Sequence, residues 1–228
     1  MYLISFQNLP QALKSDEIKP YYDYLSTKKA SLFFKRLFDI TFSILFIIVF
    51  SWLYLIIALA VAVDSGFPII YKQNRITTYG KEFKVYKFRT MVKNADKIGS
   101  LVTVGQDSRI TKVGAFLRKY RLDELPQIFN VLGGSMSFVG VRPEVEKYVS
   151  EYTPEMYATL LLPAGITSPA SIAYKNEAEL LESSSDPDST YIKDILPQKM
   201  VYNFEYIKNF SFFQDIKIIF KTVLEVLR

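Results

Sequence analysis

Between Lys87 and Arg142 the sequence gathers side chains able to move a phosphoryl group. Lys87-Phe88-Arg89-Thr90-Met91, Asp107-Ser108-Arg109, Leu117-Arg118, Leu122-Asp123-Glu124-Leu125-Pro126-Gln127 and Gly140-Val141-Arg142-Pro143 follow one another in this window. Arg and Lys bind anionic oxygens, Arg bidentately, while adjacent carboxylates hold a divalent cation or attack as nucleophiles. Asp123-Glu124 is the sharpest pair. Asp123 also fits a plainer role as the N-cap of a helix over residues 122–132, with Pro126 in its first turn and Gly133-Gly134 stopping it. The two roles are compatible, because a helix start presents unpaired N–H groups to a phosphoryl group. If Arg118, Lys119 and Arg121 fold close by, they keep Asp123 ionised.

Composition narrows the chemistry further. The 228 residues include no cysteine and no histidine, which removes disulfides, thiol nucleophiles, zinc–thiolate and iron–sulfur sites, Ser-His triads and histidine bases. A bound metal would need oxygen ligands, which favours Mg²⁺, Mn²⁺ or Ca²⁺. Lys and Arg number 28 against 23 Asp and Glu, a net charge of +5. The charge is spread along the chain and no nucleic-acid module is recognisable, so anionic lipid head groups suit the surplus better than nucleic acid. The length suits one moderate domain with an appendage.

The elements that must position these residues begin with that appendage. Residues 40–63 are 24 positions without a charge, a Gly or a Pro. As a helix at ~1.5 Å per residue they reach ~36 Å, enough for a hydrocarbon core of ~30 Å. The segment is too long, and starts too far into the chain, for a cleavable signal peptide. Lys28, Lys29, Lys35 and Arg36 precede it, and Lys72, Arg75, Lys81 and Lys84 follow it. The positive-inside rule places both flanks in the cytoplasm, which a helix that enters one leaflet, breaks and returns can satisfy. Ser51, in Phe50-Ser51-Trp52-Leu53, is the local residue able to bond a carbonyl opened by such a bend.

Elsewhere the pattern predicts short helices or irregular structure on the membrane surface over residues 1–34, a turn at Tyr79-Gly80-Lys81 and a short strand over residues 83–88. Residues 111–120 and 122–132 read as helices, residues 176–190 as an exposed acidic loop or short helix with a linker, and residues 215–228 as a helix with one broad apolar face. The expected fold is mainly α with small β elements, an α+β class. Its parts are an N-terminal membrane-surface segment (1–34), a membrane helix, re-entrant or spanning (35–66), and a compact cytosolic catalytic domain with surface amphipathic helices (67–228).

At these residues the chain resembles the bacterial sugar transferases, also called monotopic phosphoglycosyl transferases. The resemblance rests on Lys35-Arg36 and Asp39 opening the membrane helix, Gln73-Asn74-Arg75, Lys87-Phe88-Arg89-Thr90-Met91, and Leu122-Asp123-Glu124-Leu125-Pro126-Gln127 followed by Phe129-Asn130-Val131-Leu132. It continues through Gly134-Ser135-Met136-Ser137-Phe138-Val139-Gly140, Arg142-Pro143, Pro163-Ala164-Gly165-Ile166-Thr167 and Asp215-Ile216-Lys217, and so covers residue 32 to the C-terminus. Two positions depart from the family pattern: Trp52 follows Ser51 where relatives have Pro, and Val141 precedes Arg142 where relatives have Pro.

The resemblance implies transfer of a sugar-1-phosphate from a UDP-sugar to polyprenyl (undecaprenyl) phosphate with release of UMP, a step that initiates assembly of a cell-surface glycan. It casts Asp123 as the nucleophile that forms a phosphosugar-aspartyl intermediate and Glu124 as a ligand of Mg²⁺ beside it. Arg118 and Arg142 would hold phosphates, with Lys87, Arg89 and Gln127 in the substrate site. The expected location is the cytoplasmic face of the bacterial inner membrane, with membrane lipids as partners, no nucleic acid, and a homo-oligomer left open. The rival from another class is an inactive membrane-anchored nucleotide-sugar binding or scaffold relative, against which stand Asp123, Glu124, Arg118 and Arg142 together.

Overall fold

The computed structural model describes residues 3–95, 107–182, 184 and 186–227. Two 3₁₀ turns lead into α1 (Lys19–Thr27) and α2 (Lys29–Ser65), which contains the whole apolar segment. An antiparallel hairpin follows, β1 (Ile70–Ile76) with β2 (Glu82–Phe88), in a register that sets Tyr71 opposite Lys87 and Gln73 opposite Val85. Then come α3 (Lys112–Lys119), a 3₁₀ turn at Leu122–Glu124, α4 (Gln127–Gly133) and β3 (Met136–Val139). After α5 (Glu146–Val149) the chain forms β4 (Ala164–Thr167), parallel to β3. The remainder is helical: α6 (Pro169–Ala173), α7 (Glu177–Glu182), α8 (Pro187–Thr190), a π-helical turn at Tyr191–Ile195, α9 (Leu196–Lys208) and α10 (Phe212–Leu227). Helix dominates over two small sheets among the described residues, the α+β class that the patterning implies.

Local chemistry explains the boundaries near the site. Thr111 opens α3 by accepting a hydrogen bond from the Gly114 N–H at 3.0 Å. Pro126, which has no N–H to leave unpaired, begins α4, and Gly134 ends it in the left-handed conformation at φ +86°. The expected single helix over residues 122–132 is therefore two pieces.

Residues ahead of α2 enter the main core. Leu13, Ile18 and Leu25 are buried with Leu161, Met200, Tyr206 and Ile207, and the expected division at residue 34 falls inside α2.

One stripe of α2 packs on the domain. Leu32, Lys35, Asp39 and Ser43, then Ile57 and Val61, are its buried positions, three to four residues apart within each group. The other side is apolar and exposed at Leu45, Ile48, Trp52, Leu55, Leu59 and Val63, a surface of the kind that marks a membrane or partner contact. α2 continues through Ser51-Trp52 as one helix, and the Ser51 hydroxyl donates to the Ile48 carbonyl at 3.0 Å. α10 adds to the exposed apolar surface through Phe220, Val223 and Leu224, while Asp215 and Ile218 face the core.

The first arm of α2 is seated by charges out of water. Lys35 Nζ donates to Asp215 Oδ2 and to the Val139 carbonyl, both at 2.6 Å. Tyr206 donates to the other Asp215 oxygen at 2.9 Å. Arg36 donates to the Val131 and Leu132 carbonyls at the end of α4, and Asp39 accepts from Ser137 and from the Phe138 N–H. Removing one partner of a buried ion pair strands the other charge. Lys35→Met is expected to destabilise the protein by about 3–5 kcal/mol in detergent-solubilised thermal unfolding, and adding Asp215→Leu is expected to recover part of that loss.

Candidate active site

Asp123 and Glu124 lie in the 3₁₀ turn between α3 and α4. The chain enters that turn through Arg121, which sits in the left-handed region at φ +57°, a conformation that costs a side-chain-bearing residue about 1–2 kcal/mol. This reversal turns the chain out of α3 and into the acidic turn. α3 itself is fixed by contact of backbone on backbone. A Cβ on Gly114 would stand 2.0 Å from the Thr90 carbonyl oxygen, so only Gly lets the helix lie there. Arg118, four residues on, donates from Nε to Thr90 Oγ1 at 2.9 Å.

Asp123 caps neither neighbouring element. Arg121 occupies the N-cap of the 3₁₀ turn and Pro126 that of α4, neither with a side-chain cap bond. The plain N-cap role is thereby excluded, because Pro126 starts α4 three residues beyond Asp123.

Glu124 is the hub. Its Oε1 accepts from Lys87 Nζ at 2.8 Å and from Arg142 Nη2 at 2.9 Å. Burial alone would raise this carboxyl, yet Arg142 and Lys87 hold it well below the usual carboxylate range. The same contact raises Arg142, whereas burial lowers Lys87 against the pull of Glu124. Asp123 behaves differently. Burial raises it, Glu124 adds to the rise, and Lys87, Arg118 and Arg121 offset part of it. The expected help from Arg118, Lys119 and Arg121 is thus outweighed by desolvation, and the leading cation is Lys87.

These groups open onto a cavity of about 910 Å³ lined by Lys72, Arg75, Lys87, Arg89, Arg118, Arg121, Asp123, Glu124 and Arg142 among others. Of the residues singled out by sequence, Lys87, Arg89, Arg118, Asp123, Glu124 and Arg142 converge here, and Gln127 does not. It is buried in α4 and lines neither this cavity nor the one beside it. Arg89 has a divided role. Its Nη2 donates to the Ser65 and Gly66 carbonyls, placing a cation at the C-terminal end of α2, while its buried Nη1 has no hydrogen-bond partner among the described residues.

The loop bearing Arg142 is clipped on both sides. Gly140 N–H donates to the Thr167 carbonyl and Gly165 N–H to the Val141 carbonyl, at an approach so close that a Cβ on Gly165 would stand 2.1 Å from Gly140 N. Downstream, Arg75 Nη1 donates to the Pro143 carbonyl at 3.0 Å and the Ile76 N–H to the Glu144 carbonyl at 2.9 Å. Val141 is buried, and the loop holds with valine in the place of the proline that precedes the arginine in the family pattern.

Sequence reasoning missed the group beneath this loop. Glu144 accepts from the Tyr191 hydroxyl at 2.5 Å and lies 3.7 Å from Lys199 Nζ, which also bonds Glu177 Oε2 at 2.8 Å. Arg75 lies in a motif already noted and Glu144 follows another, whereas Tyr191 and Lys199 belong to no local pattern. Asn130 was quoted only as part of a motif. Its amide accepts from Tyr86 N–H and donates to the Lys84 carbonyl, continuing the β2 edge into α4 and fixing β2, which bears Lys87, against the acidic turn.

Asp123 and Glu124 are also the candidate metal ligands. Lys87 and Arg142 both use Glu124 Oε1, which leaves Oε2 and the Asp123 carboxylate as the remaining acidic oxygens of two residues that line the cavity. Mg²⁺ is commonly held by one or two carboxylates plus phosphate oxygens and water, so this donor set fits it. Among the described residues no group of three acidic side chains converges.

The sequence model of one family, described as bacterial sugar transferase, matches residues 30–228. The chain belongs to the bacterial sugar transferase family. Within it, the chain is 38% identical over 199 residues to the UDP-N-acetylgalactosamine-undecaprenyl-phosphate N-acetylgalactosaminephosphotransferase of Aeromonas hydrophila, covering 86% of this chain and 44% of that protein. It is 39% identical over 201 residues to the UDP-glucose:undecaprenyl-phosphate glucose-1-phosphate transferase of Klebsiella pneumoniae, covering 86% of this chain and 40% of that protein. A protein of Bacillus subtilis named uncharacterized sugar transferase EpsL is 35% identical over 193 residues, 85% of this chain and 87% of its own length. The chain therefore spans less than half the length of the first two relatives and most of the third.

In this bacterial sugar transferase fold, Lys87 is the main cation acting on Asp123. Its replacement by Met removes a charge that favours the ionised carboxyl, so the Asp123 pKa is expected to rise further. Carbon-13 NMR titration of the labelled Asp123 carboxyl should place its midpoint at higher pH in Lys87→Met than in the unaltered protein; an unmoved midpoint would refute the coupling.

Proposed function

We propose that this protein transfers a sugar-1-phosphate from a UDP-sugar to polyprenyl phosphate at the cytoplasmic face of a bacterial inner membrane, as the first step in building a surface glycan. The observation that carries this reading is Asp123 in a cation-lined cavity beside Glu124, which is itself tied to Lys87 and Arg142. The relatives are named for UDP-sugars and undecaprenyl phosphate, and this set of residues suits that chemistry.

An Asp123 carboxylate oxygen attacks the sugar-bearing phosphorus. The bond from that phosphorus to the bridging oxygen breaks, UMP departs with the electron pair, and a phosphosugar-aspartyl intermediate remains. A phosphate oxygen of the lipid then attacks the same phosphorus, the bond to Asp123 breaks, and the carboxylate is restored. Arg118 and Arg142 hold phosphate oxygens through charge-assisted hydrogen bonds. Asp123 and Glu124 would together hold Mg²⁺, whose charge offsets that gathering on the departing nucleotide.

The seating of α2 supports a re-entrant arrangement. Lys35 and Arg36 bind this domain before the apolar run, whereas Tyr54 donates to the Leu125 carbonyl, Asp64 accepts from the Val113 N–H, and Ile57 and Val61 pack with Phe88 and Leu117 near its end. A straight crossing would part these ends by roughly a bilayer's thickness of ~30 Å. With both ends on one domain, the apolar middle dips into the membrane from the side where the cavity lies, at the level of the lipid phosphate.

Asp123→Asn is expected to abolish UMP release and the covalent intermediate when detergent-solubilised protein is given Mg²⁺, polyprenyl phosphate and UDP-sugars; near-normal turnover would sink the mechanism. Single cysteines at Ser5 and Ser211 test topology in a chain without native thiols. Both are expected to resist a membrane-impermeant maleimide in intact cells, and labelling at position 5 alone would indicate a spanning helix.

A further inference from the structure

We infer that a second cavity beside the first is the sugar subsite, and that the Glu177 carboxylate, braced by Lys199, reads hydroxyl groups on the donor's sugar. The inference rests on the phosphoglycosyl transfer proposed above.

This cavity, of about 750 Å³, meets the first at Arg118, Arg121, Glu124 and Arg142. Their linings differ in kind. The first adds Lys72, Arg75, Lys87, Arg89, Lys93 and Arg109, a set for the anionic nucleoside diphosphate. The second adds Thr167, Ser171, Tyr174, Asn176, Glu177 and Glu225, and two of its three added lysines, Lys175 and Lys199, are paired with Glu225 and Glu177, so its hydroxyl, amide and carboxylate groups suit a neutral polyol. Reaction geometry asks for such a division. In an in-line displacement the attacking and leaving oxygens lie opposite each other, so the sugar oxygen must leave phosphorus to the side. A side chamber that joins the cationic one at Glu124 and Arg142 gives the sugar room there.

Within the chamber Glu177 is held for recognition. Its Oε2 accepts from Lys199 Nζ at 2.8 Å. Lys199 is 5% exposed and is also fixed by the Tyr191 hydroxyl at 3.0 Å. The Glu177 side chain is 31% exposed, and it is near enough to Arg142 for its charge to act on that guanidinium. A carboxylate with one oxygen anchored by a buried lysine loses little freedom on accepting a sugar hydroxyl, and a site built on such bonds discriminates strongly against a sugar that cannot make them. Phe46, Ile128 and Phe138 also line the chamber, on its apolar side. The lipid chain is therefore the competing occupant that the experiment must exclude.

The test is steady-state UMP release from UDP-glucose, UDP-galactose and their 2-acetamido counterparts, with polyprenyl phosphate and Mg²⁺, by the unaltered protein and by Glu177→Gln. The Gln variant retains the shape and a hydrogen bond to Lys199. It is expected to lose about tenfold or more in kcat/KM on the best donor and to compress the ranking among donors. The inhibition constant of UMP, which carries no sugar, and the KM for polyprenyl phosphate should stay the same. An unchanged donor ranking overturns the inference. So does a parallel shift in UMP inhibition, which marks a general disturbance of the site, or an effect confined to the KM for polyprenyl phosphate, which assigns the chamber to the lipid. If the unaltered protein releases UMP from no donor, the proposed function falls and the inference with it, whereas failure at Glu177 alone leaves that function standing.

Discussion

One oxygen of one carboxylate joins the three parts of the site. Glu124 Oε1 accepts from Lys87 on β2 and from Arg142 on the loop after β3, while its own turn lies between α3 and α4. Two cations this close repel each other in a partly desolvated place, and only an ionised carboxylate between them lets both stay. The neighbouring carboxyl is left to respond to the remaining field. Asp123, pushed up by burial and pulled down chiefly by Lys87, is tuned by the group that Glu124 holds. Asp123 and Glu124 are adjacent in sequence yet opposite in electrostatic character.

The scaffold around that contact works through the main chain. Gly114 lets α3 rest on the Thr90 carbonyl, Gly140 and Gly165 let two backbones touch, and Asn130 completes the β2 edge with its amide. α2 is seated the same way, since Arg36, Lys35 and Tyr54 all donate to carbonyl oxygens of the domain. Such contacts fix position without depending on which side chains the acceptor residues carry.

Much of this was legible in the sequence where local rules decide the outcome. The helix over residues 111–120, the Gly134 stop, the strand over residues 83–88 and the long apolar helix follow from spacing and residue type. β1 escaped the sequence reading, because Gln73 and Arg75 line the cavity and Asn74 is exposed, so the strand shows no apolar alternation toward a hydrophobic core. The four-residue strands β3 and β4 carry too little alternation to declare themselves. Asp123 resembled a cap because sequence cannot tell a 3₁₀ turn from a first helical turn when a proline follows. Glu144 and Tyr191 stand 47 residues apart, and no periodicity reaches across that distance.

The Lys35–Asp215 pair bears on how the protein is made. Its partners are 180 residues apart, so the long apolar helix is synthesised long before its counter-ion exists. At ~5–20 residues per second the delay is roughly 10–40 s. Throughout that interval Lys35 lacks Asp215, and until residue 139 is made it lacks the Val139 carbonyl as well; a charge without its counter-ion stays in water or at the head groups rather than in an apolar interior. The start of α2 therefore stays unlatched until α10 emerges. Docking of α10 is the event that locks the start of α2.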